Sequence, residues 1–163
     1  MGLRETEASD QAKGSREILL AKVIESIPGV IIVMQPPEWR VTLINSAFSA
    51  MLPEPYRSGV SALGRTVREI AAEWNEQSEA MLSLMQRVSD TGEPVQYVQY
   101  QSVHPEQGVT YWNWSVVPVE GDEAAGQRSV MVVAYDVTEK VQAHDLARER
   151  AEELEAIINQ MAD

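Results

Sequence analysis

Between Pro94 and Asp136 the chain offers three runs rich in Val, Tyr, Trp and Thr: about Val95 to Val103, Val109 to Val119 and Arg128 to Tyr135. Short connections part them, with Gly108 and Gly121-Asp122 marking the turns. Connections this short join antiparallel neighbours, because parallel pairing needs a crossover of roughly a dozen residues or more. The stretch is therefore an antiparallel meander, and the rest of the chain has to pack around it. Two shorter strands precede it, Val30 to Met34 and Val41 to Ile44, with Pro36-Pro37 forcing a loop between them. Helical patterns fill the gap between the two groups. Asn45 is placed to cap Ser46 to Met51, which Pro53 and Pro55 end, and a second short helix is expected over Thr66 to Ala72. A longer one, Glu76 to Asp90, carries Met81, Leu84, Met85 and Val88 as an apolar stripe and stops at Thr91-Gly92-Glu93-Pro94. Strands grouped with strands, without βαβα alternation, predict an α+β fold with helices covering one face of the sheet.

Both ends of the chain are predicted to extend this body. At the front, Ser15 can cap a helix to Ser26, with Ile18, Leu19, Val23 and Ile27 on or near one face, and Pro28-Gly29 stops it. Residues 1–14 are polar and without period, so disorder is expected there. At the back, the apolar run Val130 to Tyr135 meets Asp136-Val137-Thr138-Glu139 and then a long polar helix. Asp136 reads as its N-cap, with Glu139 reaching back as in a capping box. A strand joined to a helix with almost no loop can pass movement in the sheet to whatever the helix holds.

That last helix has a seam. Val137, His144, Ala151 and Ile158 fall seven apart, as do Lys140, Ala147, Leu154 and Met161, which are the a and d positions of a heptad pattern. Ala147, Ala151, Leu154, Ile158 and Met161 are the expected dimer contacts of a parallel homodimer, with the N-terminal helix contributing. Arg150 and Glu155 are at g and e′, where they attract by about a few tenths of a kcal/mol. Leu20, Val23, Ile24 and Ile27 also recur in type, at one constant spacing, as Leu154, Ile157, Ile158 and Met161. The helix therefore reads as leading into a second copy of the same module.

Composition removes several classes of function. The chain has 163 residues, no cysteine and a net charge of −12. The missing cysteine excludes disulfides, thiolate nucleophiles, Cys-based zinc sites and cysteinyl cofactor adducts. The negative charge argues against nucleic acid and anionic membrane surfaces. The longest apolar run, Val30 to Met34, is far short of a bilayer span, and Met1 to Glu5 lacks the apolar core of a signal peptide. A cytoplasmic location without membrane contact is the expectation. Acidic residues are spread over helix surfaces, and the sequence holds no phosphate loop, no His-Glu-x-x-His and no nucleophile elbow. An enzyme is not expected.

The element order resembles a PAS domain, the small sensory module of signalling proteins, over about Arg16 to Glu139. Ile44-Asn45-Ser46-Ala47-Phe48, Thr91-Gly92-Glu93-Pro94, Tyr111-Trp112-Asn113-Trp114 with Val117-Pro118-Val119, and the closing Asp136-Val137-Thr138-Glu139 carry the likeness. It implies a five-stranded antiparallel sheet with a helical cover over a cavity, and a parent such as a bacterial sensor histidine kinase of a two-component system. The domain plan is then 1–14 as a tail, 15–139 as the sensory domain and 140–163 as a signalling helix.

No cofactor is expected. A haem PAS domain usually presents a histidine on the long helix, but His104 and His144 lie elsewhere. Tyr111-Trp112-Asn113-Trp114 is similar to the strand of light-sensing LOV modules whose asparagine contacts a flavin, yet the photoreactive cysteine is missing. A small, largely apolar ligand is the expected occupant. By the resemblance Ala134 faces the cavity, and the period of two adds Val132. Asn113 and Ser115 share that orientation, and Met81 or Met85 arrives from the long helix. Asp136, Thr138 and Glu139 form the signal junction. The rival reading is a ligand-free interaction or spacer module, and a third is a redox sensor with non-covalent flavin or haem.

Overall fold

A computed structural model of the chain describes residues 2–124 and 126–162; for residues 2–5, 104 and 120–124 it describes the backbone alone. In chain order the elements are α1 (Gly2–Ser26), β1 (Val30–Gln35), β2 (Arg40–Ile44), α2 (Ser46–Ser49), two single turns of tighter helix, α3 (Val67–Ile70) and α4 (Glu76–Thr91). They are followed by β3 (Val95–His104), β4 (Gly108–Ala124), β5 (Gln127–Asp136) and α5 (Thr138–Ala162). The strands form one five-stranded antiparallel sheet in the order β2-β1-β5-β4-β3, the α+β arrangement that short connections required.

The chain divides into two compact units. The first, residues 1–95 with 115–133, holds the core. Ile31 and Ile32 on β1, Val41 on β2, Ile70 on α3, Met85 and Val88 on α4, Val116 on β4 and Val130 on β5 are all fully buried. In the β1–β2 hairpin Ile32 pairs with Ile44 and Val33 with Leu43, and then the register shifts so that Met34 meets Val41. One extra residue on one strand at such a bulge bends it and sharpens its twist.

Asn45 holds the corner after β2. Its side-chain oxygen accepts the Ile31 and Phe48 N–H groups at 3.0 Å each, and its Nδ2 donates to the Gly29 carbonyl at 2.7 Å. The same atoms thus cap α2 and tie the corner to the start of β1. The residue is 1% exposed, so each of these bonds replaces one that water would otherwise supply. From α1, the Glu25 carboxylate accepts the Ser46 N–H at 3.1 Å.

The end of α4 is fixed in a comparable way. Gly92 adopts the left-handed C-cap conformation (φ 72°) with its N–H on the Val88 carbonyl at 2.9 Å. The Ser89 hydroxyl donates to the Arg128 carbonyl on β5 at 2.7 Å, and Arg128 Nη1 returns a bond to the Ser89 carbonyl at 3.2 Å. A Cβ on Gly92 would stand 3.3 Å from the Arg128 guanidinium carbon. Glycine is favoured here by the backbone angle, while the Arg128 guanidinium, the end of a flexible side chain, could shift to admit a Cβ.

The structure departs from expectation in three places. α1 is continuous from Gly2, so Ser15 lies inside it and not at its cap, and Gly2–Gly14 is helical. That stretch contains no proline and is rich in Glu, Ala, Gln, Lys and Arg, all good helix formers. β4 runs through Gly121-Asp122 to Ala124, so the turn falls later than the glycine suggested. α5 opens at Thr138, which places Asp136 as the last residue of β5 and not as the N-cap.

Candidate functional site

A solvent-open pocket of about 320 Å³, the α3–α4 cavity, lies between α3 and α4 in the first unit. Val67 and Ala71 contribute from α3 and the residue after it, Trp74 and Asn75 from the connection, and Gln77, Ser78, Met81, Leu82 and Met85 from α4. α3 is hung on β2: the Val67 N–H reaches the Trp39 carbonyl at 3.0 Å, and Val41 bonds to the Arg65 carbonyl at 2.8 Å. Both helices carry reciprocal caps. Thr66 and Glu69 exchange bonds at the start of α3, and Asn75 and Ser78 do so at the start of α4. The cap bonds hold the Glu69 carboxyl below the usual glutamate range, chiefly through the Thr66 backbone N–H.

One side chain closes the wall between the helices. The Trp74 indole N–H donates to Glu79 Oε1 at 2.6 Å, the same oxygen accepts Arg68 Nη2 at 2.8 Å, and the Arg68 guanidinium lies 4.5 Å from the centre of the Trp74 ring. Each partner restricts the others: α3 supplies the cation, α4 the carboxylate, and the connection the ring. The Trp74 bond, with Arg68 beside it, lowers the Glu79 pKa below the usual glutamate range. Trp74 was not singled out from the sequence. A large aromatic in the acidic connection Glu73-Trp74-Asn75-Glu76 was the available signal, since such a ring needs both a cover and a partner for its N–H.

The second unit, residues 96–114 with 134–163, contains the strand-to-helix junction. Thr138 accepts the Tyr111 N–H on its hydroxyl at 2.9 Å and donates that hydroxyl to Asp136 Oδ1 at 2.5 Å. Asp136 Oδ1 also accepts the Thr138 N–H at 2.9 Å, and the Val137 N–H reaches the Tyr111 carbonyl at 2.8 Å. The expected capping box is replaced by an Asx turn: Asp136 serves the amide two residues on, and Val137 takes the cap position. Glu139 lies in the first turn of α5, where its charge suits the helix dipole. The first turn of α5 is thereby tied to β4 at Tyr111.

Beyond that turn α5 stands bare. Val141 is buried, whereas Leu146, Leu154, Ile157, Ile158 and Met161 are 49 to 82% exposed. Ala147 and Ala151 are exposed as well, as is His144. α1 presents a similar row in Ile18, Leu19, Leu20 and Val23.

Of the expected pocket residues, Met81 and Met85 line the α3–α4 cavity. Ser115 on β4 and Val132 and Ala134 on β5 are half-buried strand residues outside that lining. Asn113 has another task. Its Oδ1 accepts the Gln99 N–H at 2.8 Å, where Gln99 takes a positive φ of 53°. Strict alternation would put Tyr97 and Tyr100 on opposite faces of β3. With the kink between them both reach Trp114, Tyr97 stacked at 4.3 Å and Tyr100 edge-on at 5.9 Å. The side chain of His104, weighed as a haem ligand, lies outside the described residues. Among the described residues no group of three or more His, Asp or Glu side chains is placed to hold a metal ion.

Comparison with known proteins meets this geometry from outside. The chain is similar in fold to the PAS domain of Bordetella pertussis BvgS (TM-score 0.52, 16% identity, covering 86% of this chain and 98% of that one). It is similar also to a sensory box sensor histidine kinase from Vibrio cholerae (TM-score 0.51, 16% identity, 80% and 98%). An RNA-binding light-oxygen-voltage receptor matches with TM-score 0.51 and 18% identity over 82% of this chain, which spans only 36% of that receptor. Identities this low speak to fold alone. The family model described as the PAS fold matches residues 24–142, from the end of α1 through the Thr138 junction into the first turn of α5. With more than half of the chain inside that match, the protein belongs to the PAS family, whose members are sensory modules of signalling proteins.

Proposed function

We propose that this chain senses a small, largely apolar ligand or a partner, forms a parallel homodimer, and hands a conformational change through α5 to a downstream domain. The observation that carries the reading is the Asp136–Thr138–Tyr111 junction, which makes β4 and the first turn of α5 one hydrogen-bonded piece. A helix anchored at its first turn and bare afterwards suits relaying better than completing a core. Ligand binding biases such an element by no more than its difference in affinity for the two states.

On this reading residues 15–139 form the sensory domain, preceded by 1–14, and residues 140–163 are the signalling helix leading into a further module. Ala147, Ala151, Leu154, Ile158 and Met161 are the dimer seam, helped by α1. A cytoplasmic two-component histidine kinase of bacterial type is the parent we favour, and a sensory box sensor histidine kinase is among the proteins of similar fold. The chain itself senses and does not catalyse. The α3–α4 cavity, with Met81 and Met85, is the ligand site.

The exposed rows on α1 and α5 favour a second reading, in which a ligand-free interaction module has the dimer interface as its function. A native mass spectrum of the purified chain separates the two. A dimer carrying a discrete added mass supports the ligand sensor, and a dimer that gains no mass when offered metabolite extracts supports the interaction module. Sedimentation as a monomer at tens of micromolar overturns the dimer in both.

A further inference from the structure

We infer that the α3–α4 cavity selects an uncharged, planar aromatic molecule of about two fused rings, with Trp74 held by Glu79 and Arg68 as the positioning wall. The inference rests on the sensory role proposed above and names the ligand class of that same cavity. Size comes first. The volume of about 320 Å³ is roughly twice that of a cavity of about 150 Å³ known to accept a single benzene ring.

Charge comes second. None of the lining residues is ionisable, so a charged ligand would give up part of its hydration at this open pocket without gaining a counter-ion. The start of α4 does not supply one either. Asn75 Oδ1 already accepts the Gln77 and Ser78 N–H groups at 3.0 and 3.1 Å, and the Asn75 carbonyl accepts that of Glu79 at 3.1 Å. Those are the donors an anion would need. The nearby Arg68 and Glu79 engage each other at 2.8 Å, which leaves neither as an unsatisfied charge.

Shape and contact chemistry come third. The Trp74 ring is oriented by the bond from its N–H to Glu79 and by the Arg68 guanidinium over its face. An indole held in this orientation favours a flat partner. The same lining includes Met81 and Met85, and thioether sulfur makes favourable contacts with aromatic rings.

The test titrates the isotopically labelled full chain with three probes of one shape: neutral naphthylmethanol, anionic naphthoate and cationic naphthylmethylamine. Backbone amide and indole N–H signals are followed by NMR. The expected result is a saturable shift of the Trp74 indole N–H and the Ala71 and Met81 amides with the neutral probe. Both charged probes should bind at least about tenfold more weakly. A neutral probe that leaves these signals unmoved up to its solubility limit overturns the inference, as does a charged probe that binds as tightly.

Met81→Trp should abolish the shifts by filling the space. Because a core substitution can unfold the chain, Gln77→Trp at the exposed rim serves as the second blocking variant. Retained binding in both, with native amide spectra, also overturns the site. The arms distinguish this inference from the sensory role. A neutral probe that binds here but leaves the Val137 and Thr138 amides and the oligomeric state unchanged upholds the ligand class and sinks the coupling. A different class of molecule that moves the junction does the reverse.

Discussion

Two corners of this molecule join a strand to a helix with side-chain hydrogen bonds, and they are built to different standards. At the first, Asn45 makes three side-chain bonds, to the Ile31 and Phe48 amides and the Gly29 carbonyl, while 1% exposed. At the second, Asp136 and Thr138 tie α5 to Tyr111 with Asp136 in the open. Water replaces a broken bond at an exposed corner at little cost, whereas a buried donor left alone keeps its full desolvation penalty. The Asn45 corner is therefore a fixed part of the scaffold. The Asp136–Thr138 corner, with Asp136 exposed, is the one we propose to exchange between two arrangements when a ligand binds.

Asn45→Ala tests the rigid end of that comparison and should have the largest effect. It strands the Ile31 amide and the Gly29 carbonyl and uncaps α2, so a loss of about 3 kcal/mol is expected. Urea unfolding measures it, and a loss below about 1 kcal/mol would mean that the corner is no stiffer than the junction. Asp136→Ala comes next, at about 1 kcal/mol for the two bonds its carboxylate accepts from Thr138. In the intact parent protein its effect on signal output should exceed its effect on stability. Output indifferent to this substitution would remove the junction from the signalling route.

Asn113→Ala should cost about 1 kcal/mol or less, because its partner amide at Gln99 is exposed and can turn to water. The more telling readout is spectroscopic. Without the bond the kink at Gln99 relaxes, Tyr100 leaves Trp114, and the near-ultraviolet circular dichroism of the ring cluster falls. A mutant spectrum identical to the parent's would show that the kink does not depend on Asn113.

The smallest effect concerns acid. Glu79 titrates lower in the folded chain than in the unfolded chain, so its contribution is complete above its unfolded pKa and is lost as pH falls through the folded value. The Trp74 indole N–H signal should hold its position down to acidities at which ordinary glutamates are already protonated, and then shift. In Glu79→Gln that low-pH shift should vanish. Were the signal to shift within the ordinary glutamate range, the bond to Glu79 would be too weak to position the ring.

The element order, the α+β class and most boundaries were legible before any coordinates, because glycine, proline and cap residues act locally. Asn45 and Thr91-Gly92 are examples, since the first caps and the second stops a helix whatever lies around them. The site was legible only in part. Met81 and Met85 followed from helical periodicity, but Trp74 did not, because its meaning depends on Arg68 and Glu79 lying on two different helices. Asn113 was assigned by alternation along β4, which says nothing of the kink that its side chain supports on β3.

The sequence by itself determined the order of strands and helices and most of their ends, the antiparallel pairing that short connections require, and that no cysteine chemistry is open to the chain. Those properties depend on backbone preference and on composition, which each residue carries with it. Only the tertiary structure decided that Thr138 would bond to Tyr111, that Asp136 would close a turn in place of a cap, and that Trp74 would wall a cavity. The Asp136 turn is local and was settled by where β5 ends. Thr138 meets Tyr111, and Trp74 lies between Arg68 and Glu79, only because packing brings those residues together. A hydrogen bond over about 3 Å has no signature in residues that are apart along the chain.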